Sequence, residues 1–264
     1  MIRSSSIKLT AIAIAAIMIS VPAIGADDDP PTAQEVADHA IANIVGWQLT
    51  AARDYLKEYK GRYGSTDEFR TAWNMLQIME ASGTDEKTVV EQTNALGNTA
   101  KKAGFTAPAN YWRGELLYQQ NKRGDAKAAW KAASQNAAEA VTKDPDNATA
   151  QFYLGASLVR ERKFGAARSA LLLAERGGFD PAMVQHQIGL SHLFAEEWQS
   201  ARKAFDRALE TNPQFAPSYF WRGMARDKLG KKAKLVNDLD QFVKLAPNAP
   251  EAGRARAVLR SAGG

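Results

Sequence analysis

Three glycines, Gly155, Gly189 and Gly223, stand 34 residues apart, and Pro213 and Pro247 keep the same interval. A fixed period of this length marks a stack of supersecondary units rather than a single closed core. Each glycine sits in a helix-like stretch, YLGASL, QIGLSH or WRGMAR, and each is followed by a turn signal and a second helix-like stretch. The predicted unit is therefore a helical hairpin. One hairpin alone cannot bury its apolar face, so several must stack. Glycine inside a helix costs about 1 kcal/mol relative to alanine. Its recurrence points to a close helix crossing, where only a small side chain lets the backbones approach.

The unit from Ala182 to Gln214 carries Ile188-Gly189, Ala201, Phe205, Ala208 and Pro213. The unit from Ala148 has Leu154-Gly155, Leu158, Ala167, Leu171 and Ala174, then departs at Gly177-Gly178 and Pro181. The unit from Ala216 has Tyr219, Gly223, Leu239 and Pro247, with Arg222 and Leu235 at places where the others have an aliphatic residue and alanine. Upstream, Tyr111-Trp112-Arg113-Gly114 echoes Phe220-Trp221-Arg222-Gly223, followed by Ala126, Trp130 and Ala133. The step from Gly114 to Gly155 is 41, seven longer than the repeat, close to two helical turns. The second helix, Asp125 to Thr142, is thus expected to lengthen without rotating its apolar face.

This pattern resembles the tetratricopeptide repeat. The resemblance implies an all-α, right-handed superhelical solenoid of about four units over residues 106–264. A closing helix from Glu251 to Ser261 leaves Arg254, Arg256 and Arg260 to water. Residues 26–105 read as a helical N-terminal region, either divergent repeats or a helical cap. Helices are expected at about 32–60, 67–81 and 85–103, with an apolar stripe of Phe69, Trp73, Leu76 and Met79 and stops at Gly61, Gly64, Gly83 and Gly104.

Residues 1–25 read as a signal peptide. Arg3 and Lys8 precede the apolar run Leu9 to Val21, Pro22 breaks it, and small residues lead to a cleavage site at Gly25–Ala26. The run is short against the roughly 20 residues of a membrane span. Bacterial export to the periplasm is the expectation; in a eukaryotic secretory route Asn147-Ala148-Thr149 would accept a glycan. The chain has no cysteine, which excludes disulfides, thiol catalysis and an N-terminal lipid-modified cysteine. The formal net charge is +5; Arg3 and Lys8 leave with the leader, so the mature chain carries +3. That balance matches interspersed, solvated helix faces.

No catalytic constellation is found. His186 and His192 are six apart, off one helix face, and His39 is distant. Gly223 to Gly230-Lys231 has six intervening residues, not the four of a phosphate loop. Glu196-Glu197 and the pair Asp238 and Asp240 read as helix-start or exposed acids. No cofactor, metal or nucleic acid is expected, and no membrane span after leader removal.

The resemblance implies a groove lined by the first helix of each unit. Its positions here are Tyr111, Trp112, Glu115 and Tyr118; Phe152, Tyr153, Ala156, Val159 and Arg160; His186, Gln187, Leu190, Leu193 and Phe194; and Phe220, Trp221, Met224, Asp227 and Lys228. Aromatics with Met and Arg carry interface energy. The same aromatics also serve as packing between units, whereas Arg160 and Lys228 are expected to be exposed. The dense basic cluster that grips a peptide C-terminus is missing. The expected partner is a protein or peptide, in an exported scaffold, with envelope assembly as the expected setting. The alternatives are an anionic polymer or membrane surface, an enzyme site within residues 32–105, and self-association.

Overall fold

A computed structural model describes residues 30–81, 91, 94–96, 98 and 106–262. The leader, its cleavage site, Gly83, Gly104 and most of the expected helix at 85–103 lie outside the described residues. From Pro31 onward the chain forms one unit. Its helices are α1 (Ala33–Val45), α2 (Leu49–Tyr63), α3 (Asp67–Ala81), α4 (Thr106–Gln119), α5 (Arg123–Lys143), α6 (Ala148–Arg160), α7 (Phe164–Arg176), α8 (Pro181–Phe194), α9 (Trp198–Thr211), α10 (Ala216–Lys228), α11 (Lys232–Leu245) and α12 (Ala252–Ala262). No strand occurs among the described residues.

From α4 to α11 the helices form four consecutive hairpins, each closed by one turn geometry. Asn121, Arg162, Glu196 and Gly230 sit at positive φ, between 60° and 72°. The next amide donates to the carbonyl five residues back: Lys122 to Leu117, Lys163 to Leu158, Glu197 to His192 and Lys231 to Arg226. This is a Schellman ending, which satisfies orphan helix carbonyls. Only the last has glycine; the others accept roughly 1–2 kcal/mol of left-handed strain. Helix α5 is 21 residues long against 14 in α9 and α11, which accounts for the longer step between Gly114 and Gly155.

The glycines lie where first and second helices cross. A Cβ at Gly189 would meet the Phe205 ring at 2.5 Å, and one at Gly155 would meet Leu171 at 2.6 Å. At Gly223 the nearest atoms are Leu235 at 3.3 Å and Asp238 at 3.4 Å, a looser crossing. One residue back, Arg222, where the units from Ala148 and Ala182 have an aliphatic side chain, reaches Asp238 through Nε at 3.2 Å and Nη2 at 2.6 Å, and Asp206 at 2.9 Å. Arg226 adds a 2.6 Å bond to Asp238. Asp238 is 2% exposed, which corrects its reading as a surface acid. It is a buried ion-pair centre, stable because both carboxylate oxygens are answered.

The stretch 32–60 is not one helix. Helix α1 starts with a Thr32–Glu35 capping box and stops at Gly46. Trp47 takes φ 63° and the Gln48 amide bonds the Asn43 carbonyl, the same turn as in the later hairpins. Gly61 is no stop either: it lies inside α2, and Gly64 caps the helix. Val36, Ala37, Ala40, Ile41 and Ile44 make one face of α1, each at most 1% exposed. Burying the three branched side chains is worth about 1.5–3 kcal/mol each. They join the same buried cluster as Phe69, Met75 and Leu76 of α3 and Tyr111, Tyr153 and Leu190 of the hairpins. Helix α1 thus runs across the hairpins. Thr149 Oγ1 at the start of α6 donates to Asp38 at 3.0 Å, and the Ala216 amide at the start of α10 reaches the Gly46 carbonyl at 3.4 Å.

Successive units are also joined by buried polar contacts. His186 Nδ1 of α8 lies 2.9 Å from Ser218 Oγ of α10, between the rings of Phe205 and Phe215. Burial, aided by the Arg160 charge, lowers the His186 pKa to about 3. The unfolded imidazole titrates near 6.5, so acid charges the unfolded state first, and His186 stability is lost as pH falls from 6.5 toward 3. His186→Gln should therefore gain about 3 kcal/mol relative to the parent between pH 7 and pH 4, read by urea unfolding at both values. A difference that does not change with pH would refute the buried neutral imidazole. At the crossings, Gly189→Ala should lose about 2 kcal/mol, since the Phe205 ring must shift, whereas Gly223→Ala should stay within about 1 kcal/mol of the parent because its helix gains propensity. Thermal unfolding of the two variants checks the order.

Candidate partner-binding groove

First helices of successive units touch one another, α4 with α6, α6 with α8 and α8 with α10, while the second helices make no comparable contact among themselves. The first helices therefore lie on the inside of the curve, and the sequence-predicted groove residues belong to these helices.

The inner face divides along its length. In the half crossed by α1, Tyr111, Trp112, Phe152, Tyr153, His186, Leu190 and Phe220 are buried. Their partners are other units: Trp112 Nε1 donates to Tyr153 Oη at 3.1 Å, and Gln187 Nε2 to Tyr111 Oη at 2.9 Å. Phe152 stacks on Phe179 at 4.1 Å. Asp38 of α1 is enclosed here as well, and burial lifts its pKa to about 6 although Gln34 and Thr149 donate to it.

The other half, at the C-terminal ends of the first helices, remains open. Tyr118 is 49% exposed, Phe194, Trp221 and Met224 are half-buried, and Lys228 is exposed. These side chains form a row. Tyr118 lies 5.6 Å from the Trp130 ring, and the Arg160 guanidinium sits 5.2 Å from Trp130 and 5.7 Å from Phe194. Phe194 meets Trp221 edge-on at 6.1 Å, and Lys228 lies 5.9 Å from Trp198. Arg160 is less exposed than its sequence position implied. Glu115 accepts from both its Nε, at 2.7 Å, and its Nη2, and the side chain is 16% exposed. Burial works against the Arg160 charge, but the Glu115 carboxylate outweighs it and raises the pKa above the ordinary arginine value.

Beside this row lies a cavity of about 120 Å³. Its floor includes Tyr111, Arg160, Gln187 and Phe220 of the first helices. Trp47, Met75 and Met79 close it from the N-terminal helices, and Pro250 with Glu251 from the start of α12. Burial pushes the Glu251 pKa up, as does the Glu115 charge, while Arg160 pulls it down. Sequence reasoning missed Trp47, Met75, Met79 and Glu251, because no local pattern places them against the repeats. It also missed Trp130 and Trp198, which belong to second helices. Trp130 had a signal, since it occupies the place of Phe205 opposite the crossing glycine.

Among the described residues no cluster of three His, Asp or Glu side chains is arranged to hold a metal, and no helix is long and apolar enough to cross a membrane. No curated protein matches the sequence significantly. Among solved structures, a chain of the APC/C hetero-tetramer Cut9–Hcn1 aligns over 84% of this chain and 41% of its own length, at 13% identity and a TM-score of 0.52. A MamA crystal structure aligns over 59% of this chain and 87% of its own, at 19% identity and 0.38. The pilF protein of Pseudomonas aeruginosa aligns over 85% and 98%, at 17% identity and 0.37. Likeness at these identities concerns the fold alone. The family model of the tetratricopeptide repeat matches residues 111–181 and 186–250, more than half of the sequence, and the chain belongs to that family.

Proposed function

We propose that this protein is an exported scaffold that holds a protein or peptide partner along the open half of its inner face. The observation that carries the reading is the row from Tyr118 through Arg160 and Phe194 to Trp221, exposed or half-buried, on rigid helices of three or more units. Aromatic rings and an arginine held in fixed positions are the side chains that dominate binding energy, and they lose little entropy when a partner arrives. Helices α1–α3 act as a cap over the other half, so the buried aromatics there serve stability. The leader supports export, with residues 26–264 as the working protein.

The reading is tested by affinity capture from an envelope fraction with the full chain and with a Tyr118→Ala, Trp221→Ala variant of matched helicity. A specific protein held by the parent should be lost by about tenfold or more in the variant, the effect of removing about 1.4 kcal/mol or more. Equal capture by both would sink the open row as the binding surface. Phe152 makes a poor probe, since it is fully buried and its loss would act through stability. Export has its own test: the intact mass of protein recovered from a bacterial periplasmic extract should correspond to a chain beginning at Ala26. Recovery of full-length chain only in the cytoplasm would overturn it.

A further inference from the structure

The cavity holds an amide oxygen that the fold leaves unanswered and a carboxylate met by its own backbone amide. Gln187 is 5% exposed; its amide nitrogen is used by Tyr111, and its Oε1 has no partner. Glu251 lines the same space and forms no ion pair with any described residue. Glu115 and Arg160 neutralise each other, and His186 is held neutral by burial. With Glu251 ionised, the cavity carries one net negative charge against an otherwise balanced lining. Trp47, Phe220 and Trp221 supply aromatic walls. Gln119 and Pro250, both exposed, mark where it opens to solvent.

We propose that this cavity is a site for an organic cation, an ammonium or guanidinium head on a short apolar stem, received by the Glu251 carboxylate, the Gln187 carbonyl oxygen and the rings of Trp47 and Trp221. Acceptor oxygens beside aromatic rings favour a weakly hydrated cation, which gains from both. They disfavour an anion, and they offer too few oxygens for a calcium or magnesium ion, which takes about six. A volume of about 120 Å³ equals about four waters, room for a group such as n-butylammonium. Arg160 and Trp221 border both the cavity and the open row. A peptide laid along that row would bring a lysine or arginine side chain to the opening, a source that rests on the proposed function. A free amine is the other source of the same chemistry.

Isothermal titration of the full chain with n-butylammonium, n-butylguanidinium and neutral n-butanamide tests the site. The cations should bind about tenfold or more tightly than the amide, and Glu251→Gln should remove that preference. Gln187→Leu provides a second variant should Glu251→Gln fail to fold. Equal binding of cation and amide would overturn the proposal, as would no saturation below about 10 mM. An unchanged affinity in folded Glu251→Gln, with only its melting temperature lowered, would reduce Glu251 to a cap for α12 and overturn it too. A lysine-containing peptide that binds about tenfold more tightly than n-butylammonium, and loses that gain in Tyr118→Ala, identifies a partner's side chain as the ligand. Equal affinity identifies the free amine. If capture depends on Tyr118 and Trp221 while no cation binds, the scaffold reading stands and the cation site falls.

Discussion

The close crossing at each repeat glycine is the constraint from which the rest of the architecture follows. A side chain as small as one methyl group at Gly189 would overlap the Phe205 ring, so the hairpin closes tightly only with glycine there. The hairpins then stack with their first helices in direct contact, while the second helices make no comparable contact with one another. That difference in spacing curves the array. The curvature gathers aromatics from four separate units onto one inner face. Without it, Tyr118, Arg160, Phe194 and Trp221 would belong to unrelated patches.

Where the crossing is loosest, polar chemistry takes the place of packing. Arg222, Arg226, Asp206 and Asp238 form a connected network at the last hairpin, with Asp238 almost wholly buried. A buried pair of this kind adds little over an apolar substitute, but breaking one member is expensive because the rest stay buried and charged. It therefore fixes the register of α10 on α11 more than it adds stability. Glu115 and Arg160 play the same part between the first two units, and there the pair faces a cavity. A solvated edge of the pair turns a packing device into part of a surface that ligands meet.

The repeats were legible because their signals are local. Gly114, Gly155, Gly189 and Gly223 announce the crossings, and the extra seven residues before Gly155 appear as a longer α5. The first-helix stretches were legible for the same reason, whereas the groove positions on them came from the family resemblance. The hairpin break at Gly46 and Trp47 was not, because a tryptophan at positive φ carries no turn signal of its own. Asp238 misled for a related reason. An acid on an amphipathic helix reads as exposed unless its cation is known, and that cation, Arg222, stands 16 residues away.

The sequence by itself determined the helical-hairpin unit and its crossings over the C-terminal half, since each depends on spacing within one or two helices. Only the tertiary structure decided which inward-facing residues are core and which are surface. That division is made by α1, whose apolar face lies across the starts of α6 and α10, and by Glu251, brought back from the far end of the chain. Burial depends on which distant segments come to rest on a residue, and no periodicity within the repeats records where α1 will lie.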